Sequence, residues 1–163
     1  ETRGGNDVRR ICTDSADFRM ERERATMNYQ DQVVVLTGAS GGIGSAMAKK
    51  FTSLGAKVAL LDITVDRVQA LAEKLGLGSD RAFCAAVDVS DEASVKTTVD
   101  AILHHFGRID VLVNAAGIPG PSARVEDYSF NDAKKVINVN LFGTFLMMHT
   151  ILPVMQAQKQ CFL

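Results

Sequence analysis

From Asp31 onward, short β-branched apolar runs alternate with amphipathic stretches of helical period, and that alternation leaves few folds open. Val33-Val34-Val35-Leu36 reads as a buried strand. Ile43 to Leu54 reads as a helix closed by Gly55, a natural residue for the left-handed position after a helix. Lys57 to Leu61 is a second strand, and Asp66 to Leu75 a helix ended by Gly76, with Val68, Leu71, Ala72 and Leu75 on one face. Residues 82 to 88 form a third strand. Ser90 is the expected cap of a helix that runs to about Phe106 and ends at Gly107. Asp110 to Asn114 is a fourth strand, followed by a loop holding Gly117, Pro119, Gly120 and Pro121. From about Asn131 a long apolar helical stretch follows, which Pro153 is expected to kink or end. Strands this continuously apolar are buried on both faces, and strand–helix repetition calls for right-handed crossovers. The expected class is therefore α/β, a doubly wound parallel sheet of about four strands.

One turn gives the sheet a chemistry. Thr37-Gly38-Ala39-Ser40-Gly41-Gly42-Ile43-Gly44 follows a strand and opens a helix. A pyrophosphate must come close to main-chain amides there, where side chains would block it. The helix N-terminus adds about half a positive charge and unsatisfied N–H donors. Gly38 permits the tight turn, Gly42 the close approach, and Gly44 the tight packing of helix on strand. Asp62 ends the second strand about 20 residues beyond these glycines, where a carboxylate reaches ribose hydroxyls. A 2′-phosphate at that place meets a like charge. At 4 Å and an effective dielectric of about 20 the repulsion is about 4 kcal/mol, an upper-end figure equal to nearly three decades in affinity. No Lys or Arg in the glycine turn offsets it. The expectation is a Rossmann-like domain that binds NAD in preference to NADP.

Composition limits the alternatives. At 163 residues one domain is expected, with residues 1–28 as an Arg-rich, acid-rich tail, disordered or outside the natural chain, and 29–163 as the folded unit. Met27, just before the first strand pattern, is read as a candidate start position. Net charge is −1, from 18 basic and 19 acidic residues, which argues against nucleic acid and membrane surfaces as partners. Cys12, Cys84 and Cys161 are odd in number and form no CxxC pair, so neither a disulfide framework nor a zinc site is expected. His104, His105 and His149 lack metal-ligand spacing. With no continuous apolar run of about 18 residues and no signal-peptide pattern, the expected location is the cytoplasm.

Four signals in order make residues 31 to 157 resemble the short-chain dehydrogenase/reductase family. They are Thr37-Gly38-x-x-x-Gly42-x-Gly44, Asp88-Val89, Asn114-Ala115-Ala116-Gly117, and Asn140 within Val139-Asn140-Leu141-Phe142-Gly143. The resemblance implies an oxidoreductase moving a hydride between NAD(H) and an alcohol or ketone. It implies a cofactor site of Gly38, Ser40, Gly41, Gly42, Ile43, Gly44, Asp62, Ile63, Asp88, Val89, Asn114, Ala115, Ala116 and Gly117. Asp88 is to accept from the adenine amino group, and Asn114 to Gly117 to line the cofactor and steady the sheet. Asn140 is to act as the family's catalytic helix asparagine, which bends the helix and holds a water in the proton relay; Asn138 is read as structural. Bottom-up, an Asn inside an apolar helix marks either an irregularity or a functional site.

The family also places a serine on a fifth strand and a Tyr-x-x-x-Lys on the next helix. Here Tyr29 is followed at four residues by Val33, and Tyr128 by Asp132, so neither matches. The expectation is that these 163 residues hold the cofactor half, with the serine, tyrosine and lysine beyond Leu163. The alternatives are a non-catalytic NAD-binding fragment and a dimerisation partner of a full-length relative. A further expectation is an apolar fourth-strand edge and a long helix that, in the family, packs on a partner subunit, so that the chain is marginal, self-associating or dimeric. Gly117 to Pro121 looks like the matching stretch of 3-oxoacyl-carrier-protein reductase-like and sugar- or polyol-dehydrogenase-like members.

Overall fold

A computed structural model describes residues 28–158. The tail up to Met27, Cys12, Cys161 and the final stretch Gln160 to Leu163 lie outside the described residues. Four parallel strands, β1 (Val33–Thr37), β2 (Lys57–Asp62), β3 (Ala82–Ala86) and β4 (Val111–Asn114), form one sheet in the order β3-β2-β1-β4. The order reverses at β1, so crossovers on its two sides lay helices on opposite faces of the sheet. Both faces of β1 are buried throughout, which is why it reads as an unbroken apolar run rather than an alternation.

The helices are α1 (Gly42–Ser53), α2 (Val65–Lys74), α3 (Glu92–Phe106), α4 (Phe130–Ile137) and α5 (Thr144–Ala157), with a π-helical segment, Asn138–Gly143, joining the last two. Strand period divides the core. Val34, Leu36, Val58 and Leu60 face Ala48 of α1 and Val68 and Ala72 of α2. Val33, Val35, Ala59 and Leu61 face Val95, Val99 and Ile102 of α3 and Met147, Ile151 and Met155 of α5. The helix ends Gly55, Gly76 and Gly107 take positive φ, as their sequence positions anticipate.

Several local expectations are corrected. Asp91, not Ser90, caps α3: its carboxylate accepts from the Ala93 and Ser94 amides, while the Ser90 amide and hydroxyl both go to Asp88 Oδ1. A carboxylate with two oxygens satisfies two of the orphan amides of the first turn, where a hydroxyl satisfies one. β3 stops at Ala86 rather than 88, because Asp88 leaves the ladder to form that turn. Pro153 does not end the last helix, which runs on to Ala157. The helical rod from Phe130 to Ala157 is also long and apolar enough, by length and composition, to cross a membrane, with a mean hydropathy of 1.4 in its best window. The absence of one unbroken apolar run concealed this, since scattered polar residues are averaged out. Met147, Ile151 and Met155 on this rod are nevertheless packed into the core against the sheet.

Candidate functional site

All four strands are parallel, so their C-terminal ends share one edge of the sheet, and the reversal of order at β1 opens a crevice there. A cleft of about 380 Å³ occupies that place. Gly38, Ser40 and Gly41 line it from the turn after β1, and Asp62, Ile63 and Arg67 from the end of β2 and the start of α2. Val87 to Ser90 line it after β3, Ala115 to Ile118 after β4, and Val139 from the π segment.

The glycine turn is shaped by two close approaches. Gly38 has φ +63°, and a Cβ there would lie 2.6 Å from the Ala115 carbonyl oxygen. A Cβ on Gly44 would lie 2.2 Å from the Gly38 oxygen, so this residue lets α1 start directly beneath the turn. At Gly42 a Cβ would meet nothing within 4 Å, and the chain's own packing gives no reason for glycine at that position. Gly41 caps α1 with no side-chain acceptor, and no acidic residue lies in the first turn. The amides at this helix start therefore have no carboxylate of their own to face.

Thr37 joins the end of β1 to the loop after the edge strand β4. Its buried hydroxyl oxygen accepts from the amides of Ala115 and Ala116, each at 3.2 Å, and so draws the loop after β4 across the turn after β1. Asp62 is held equally firmly. Its Oδ2 accepts from the Ser40 amide at 3.0 Å and the Ser40 hydroxyl at 2.7 Å, and its Oδ1 from the Ile63 amide at 2.8 Å. The carboxylate thus stands at the cleft's edge in a fixed orientation. Across from it, Asp88 is fixed through Oδ1 by Ser90, and its amide donates to Ser94 Oγ at 3.0 Å.

Asn140 does not line the cleft but sets one of its walls. Its Oδ1 accepts from the Ile118 amide at 2.9 Å, and its Nδ2 donates to the Ile118 carbonyl at 3.1 Å. Both polar ends of the amide are satisfied by one backbone residue, which fixes the loop after β4. The Asn140 carbonyl accepts from the Thr144 hydroxyl at 3.0 Å, within the π segment that interrupts the helix at this residue. Gly143 lets that segment approach: a Cβ there would lie 2.6 Å from a Val89 methyl, so the helix presses against the cleft wall.

Of the residues expected at the site, Gly38, Ser40, Gly41, Asp62, Ile63, Asp88, Val89, Ala115, Ala116 and Gly117 line the cleft. Gly42, Ile43 and Gly44 are not among the lining residues, although Gly41, which caps α1, is. Nor is Asn114, whose Oδ1 is buried and unpartnered among the described residues. Sequence reasoning missed Arg67, Val87, Ser90 and Val139 as wall residues. For Arg67 a signal was present, a base in the first turn of the helix that follows Asp62. No group of His, Cys, Asp and Glu fit to hold a metal occurs among the described residues.

Known proteins are similar to this chain in sequence and fold. The chain is 42% identical over 137 residues to D-threitol dehydrogenase of Mycolicibacterium smegmatis, covering 83% of this chain and 48% of that protein. It is 37% identical over 135 residues to levodione reductase of Leifsonia aquatica, covering 82% and 51%. The crystal structure of levodione reductase superposes with a TM-score of 0.78 at 34% identity, over 82% of this chain and 53% of that one. A 3-ketoacyl-(acyl-carrier-protein) reductase from Brucella melitensis complexed with NADH gives 0.76 at 34%, over 82% and 55%. NAD+-bound xylitol dehydrogenase gives 0.75 at 32%, over 82% and 51%. The chain spans about half the length of the curated relatives it matches. With the short chain dehydrogenase profile matching residues 32–161, on top of the sheet order and the glycine turn, the chain belongs to the short chain dehydrogenase family.

Proposed function

We propose that this chain forms the coenzyme-binding half of an oxidoreductase that moves a hydride between NAD(H) and an alcohol or ketone. The observation that carries this is the uncapped, acid-free start of α1 opening onto a cleft whose rim holds an oriented carboxylate. When bound, a nicotinamide coenzyme supplies the hydride acceptor or donor. The chain's residues bind and orient it. The first-turn amides of α1, from Gly42 to Gly44, face the pyrophosphate, and the open space at Gly42 admits it, while the amides of Ala39, Ser40 and Gly41 are bonded within the chain. Asp62 takes the ribose hydroxyls. Asp88 Oδ2, which no described residue bonds, takes the adenine amino group, with Val89 and Ile63 against the ring. Asn140 holds Ile118 and thereby the wall at the far end of the cleft.

The Asp62 carboxylate supports a preference for NAD over NADP through its repulsion of a 2′-phosphate. The titration of the 163-residue chain with NADH and NADPH, followed by the coenzyme's fluorescence, tests both statements. NADH is expected to bind at least about ten-fold more tightly, and Asp62→Ala to bring the two affinities together. Binding of neither coenzyme overturns the reading.

The similarity to D-threitol and xylitol dehydrogenases supports a small polyol or its ketone as substrate, and the family supports assembly of like subunits in the cytoplasm. A second reading, coenzyme binding without turnover, is favoured for these residues by one observation. Tyr29 packs edge-on against Phe51 and Tyr128 lies over Gly120, so no tyrosine stands on the cleft wall to exchange a proton with substrate. Turnover of NAD with a panel of polyols by the 163-residue chain decides between the two.

A further inference from the structure

We propose that Arg67 is a further coenzyme-contacting residue, whose guanidinium closes over the purine face of the adenosine moiety; this rests on the coenzyme reading above. Among the described residues Arg67 is the one base on the cleft wall, which carries two acids, Asp62 and Asp88. No aromatic side chain lines the wall among the described residues, so none of them offers another ring to cover a base. Arg67 is the third residue of α2, which Val68 and Ala72 pin to the sheet. Helical side chains lean toward the helix N-terminus, and here that direction leads back to Asp62 and the cleft rim. Arg67 is exposed and makes no ion pair among the described residues, so no partner within the chain accounts for its place on the wall.

A guanidinium is planar, permanently charged and weakly hydrated, and it stacks plane on plane with an aromatic face, a contact an ammonium makes only as a point charge. A purine offers such a face. A 2′-phosphate is the competing partner for a base at this place, but Asp62, held by Ser40 and Ile63, opposes it from the same rim. Stacking on the base is the arrangement that leaves the carboxylate with the ribose and the cation with the ring.

Calorimetric titration of the 163-residue chain and of its Arg67→Ala and Arg67→Lys variants with ADP-ribose and 2′-phospho-ADP-ribose tests this. Arg67→Ala is expected to lose about ten-fold in ADP-ribose affinity, about 1.4 kcal/mol, with an unchanged melting temperature. Arg67→Lys, which keeps the charge but not the plane, is expected to lose nearly as much. Equal affinity in the wild type and Arg67→Ala overturns the proposal and leaves the coenzyme reading standing. Full retention in Arg67→Lys, or a loss confined to the 2′-phosphorylated probe, overturns stacking in favour of charge. A wild-type chain that binds neither probe removes the coenzyme reading and the proposal with it.

Discussion

Thr37 shows how one hydroxyl can hold two strands' worth of site geometry. Its oxygen takes the amides of Ala115 and Ala116, which would otherwise be left without partners at the head of the cleft. Leaving buried donors unpaired costs about 1–3 kcal/mol. Thr37→Val is expected to lose about that much stability, and Thr37→Ser, which keeps the oxygen, considerably less; urea unfolding measures both. Cys84 offers a pH-dependent counterpart. Partial burial between β3 and α2 raises its pKa above the ordinary thiol value. The folded chain then keeps the proton that the unfolded chain gives up first. Stability from this group is therefore complete below the ordinary thiol pKa and is lost as pH rises through the folded-state value. At pH 8 the folded chain is expected to alkylate at Cys84 far more slowly than the urea-unfolded chain, as peptide mapping after brief iodoacetamide exposure reads out.

At the level of elements, the junction between α4 and α5 is the informative one. An asparagine inside an apolar helix was expected to mark an irregularity or a functional site, and the π segment lies on it. The side chain spans to the loop after β4 and bonds both polar groups of Ile118. Replacing Asn140 with Leu is expected to free the loop from 117 to 129, accelerating its limited proteolysis several-fold. The global melting temperature should shift less than for a core substitution, because the bonds are exposed. A comparable clamp closes the far end of α5. Gln158 Oε1 accepts from the Ile109 amide at 3.0 Å, and Nε2 donates to its carbonyl at 2.7 Å, tying the helix end to the chain just before β4. That attachment is consistent with a helix that runs on past Pro153.

For the whole molecule, burial is uneven. The β1–β2 centre is closed on both faces, whereas β3 and β4 are the sheet edges among the described residues. Ile137, Leu141, Phe142, Phe145 and Met148 stand exposed along the rod from α4 to α5. A surface of that kind seeks cover, and an unpaired apolar edge invites strand addition. The 163-residue chain is expected to self-associate at micromolar concentration, seen as a concentration-dependent mass in light scattering. Leu141→Lys with Phe145→Glu should reduce that association without unfolding the chain. A monomer at all concentrations would remove the expectation.

Much of the fold and part of the site could be read from residue order. Strand and helix identities, the three glycine helix ends and the glycine turn follow from constraints acting within a few residues of chain, and such constraints leave a period or a spacing behind. Asp62 was legible because the strand before it and the turn facing it each carried their own pattern. The grip of Asn140 on Ile118, 22 residues away, was not, nor was that of Thr37 on Ala115, 78 residues away. The choice of Asp91 over Ser90 as the cap was hidden for a related reason, since both are good cap residues locally. These depend on which segments the crossovers bring side by side, and a hydrogen bond between distant residues leaves no period in either one. Local chemistry settled what each segment is; only the packed sheet decided which of them meet.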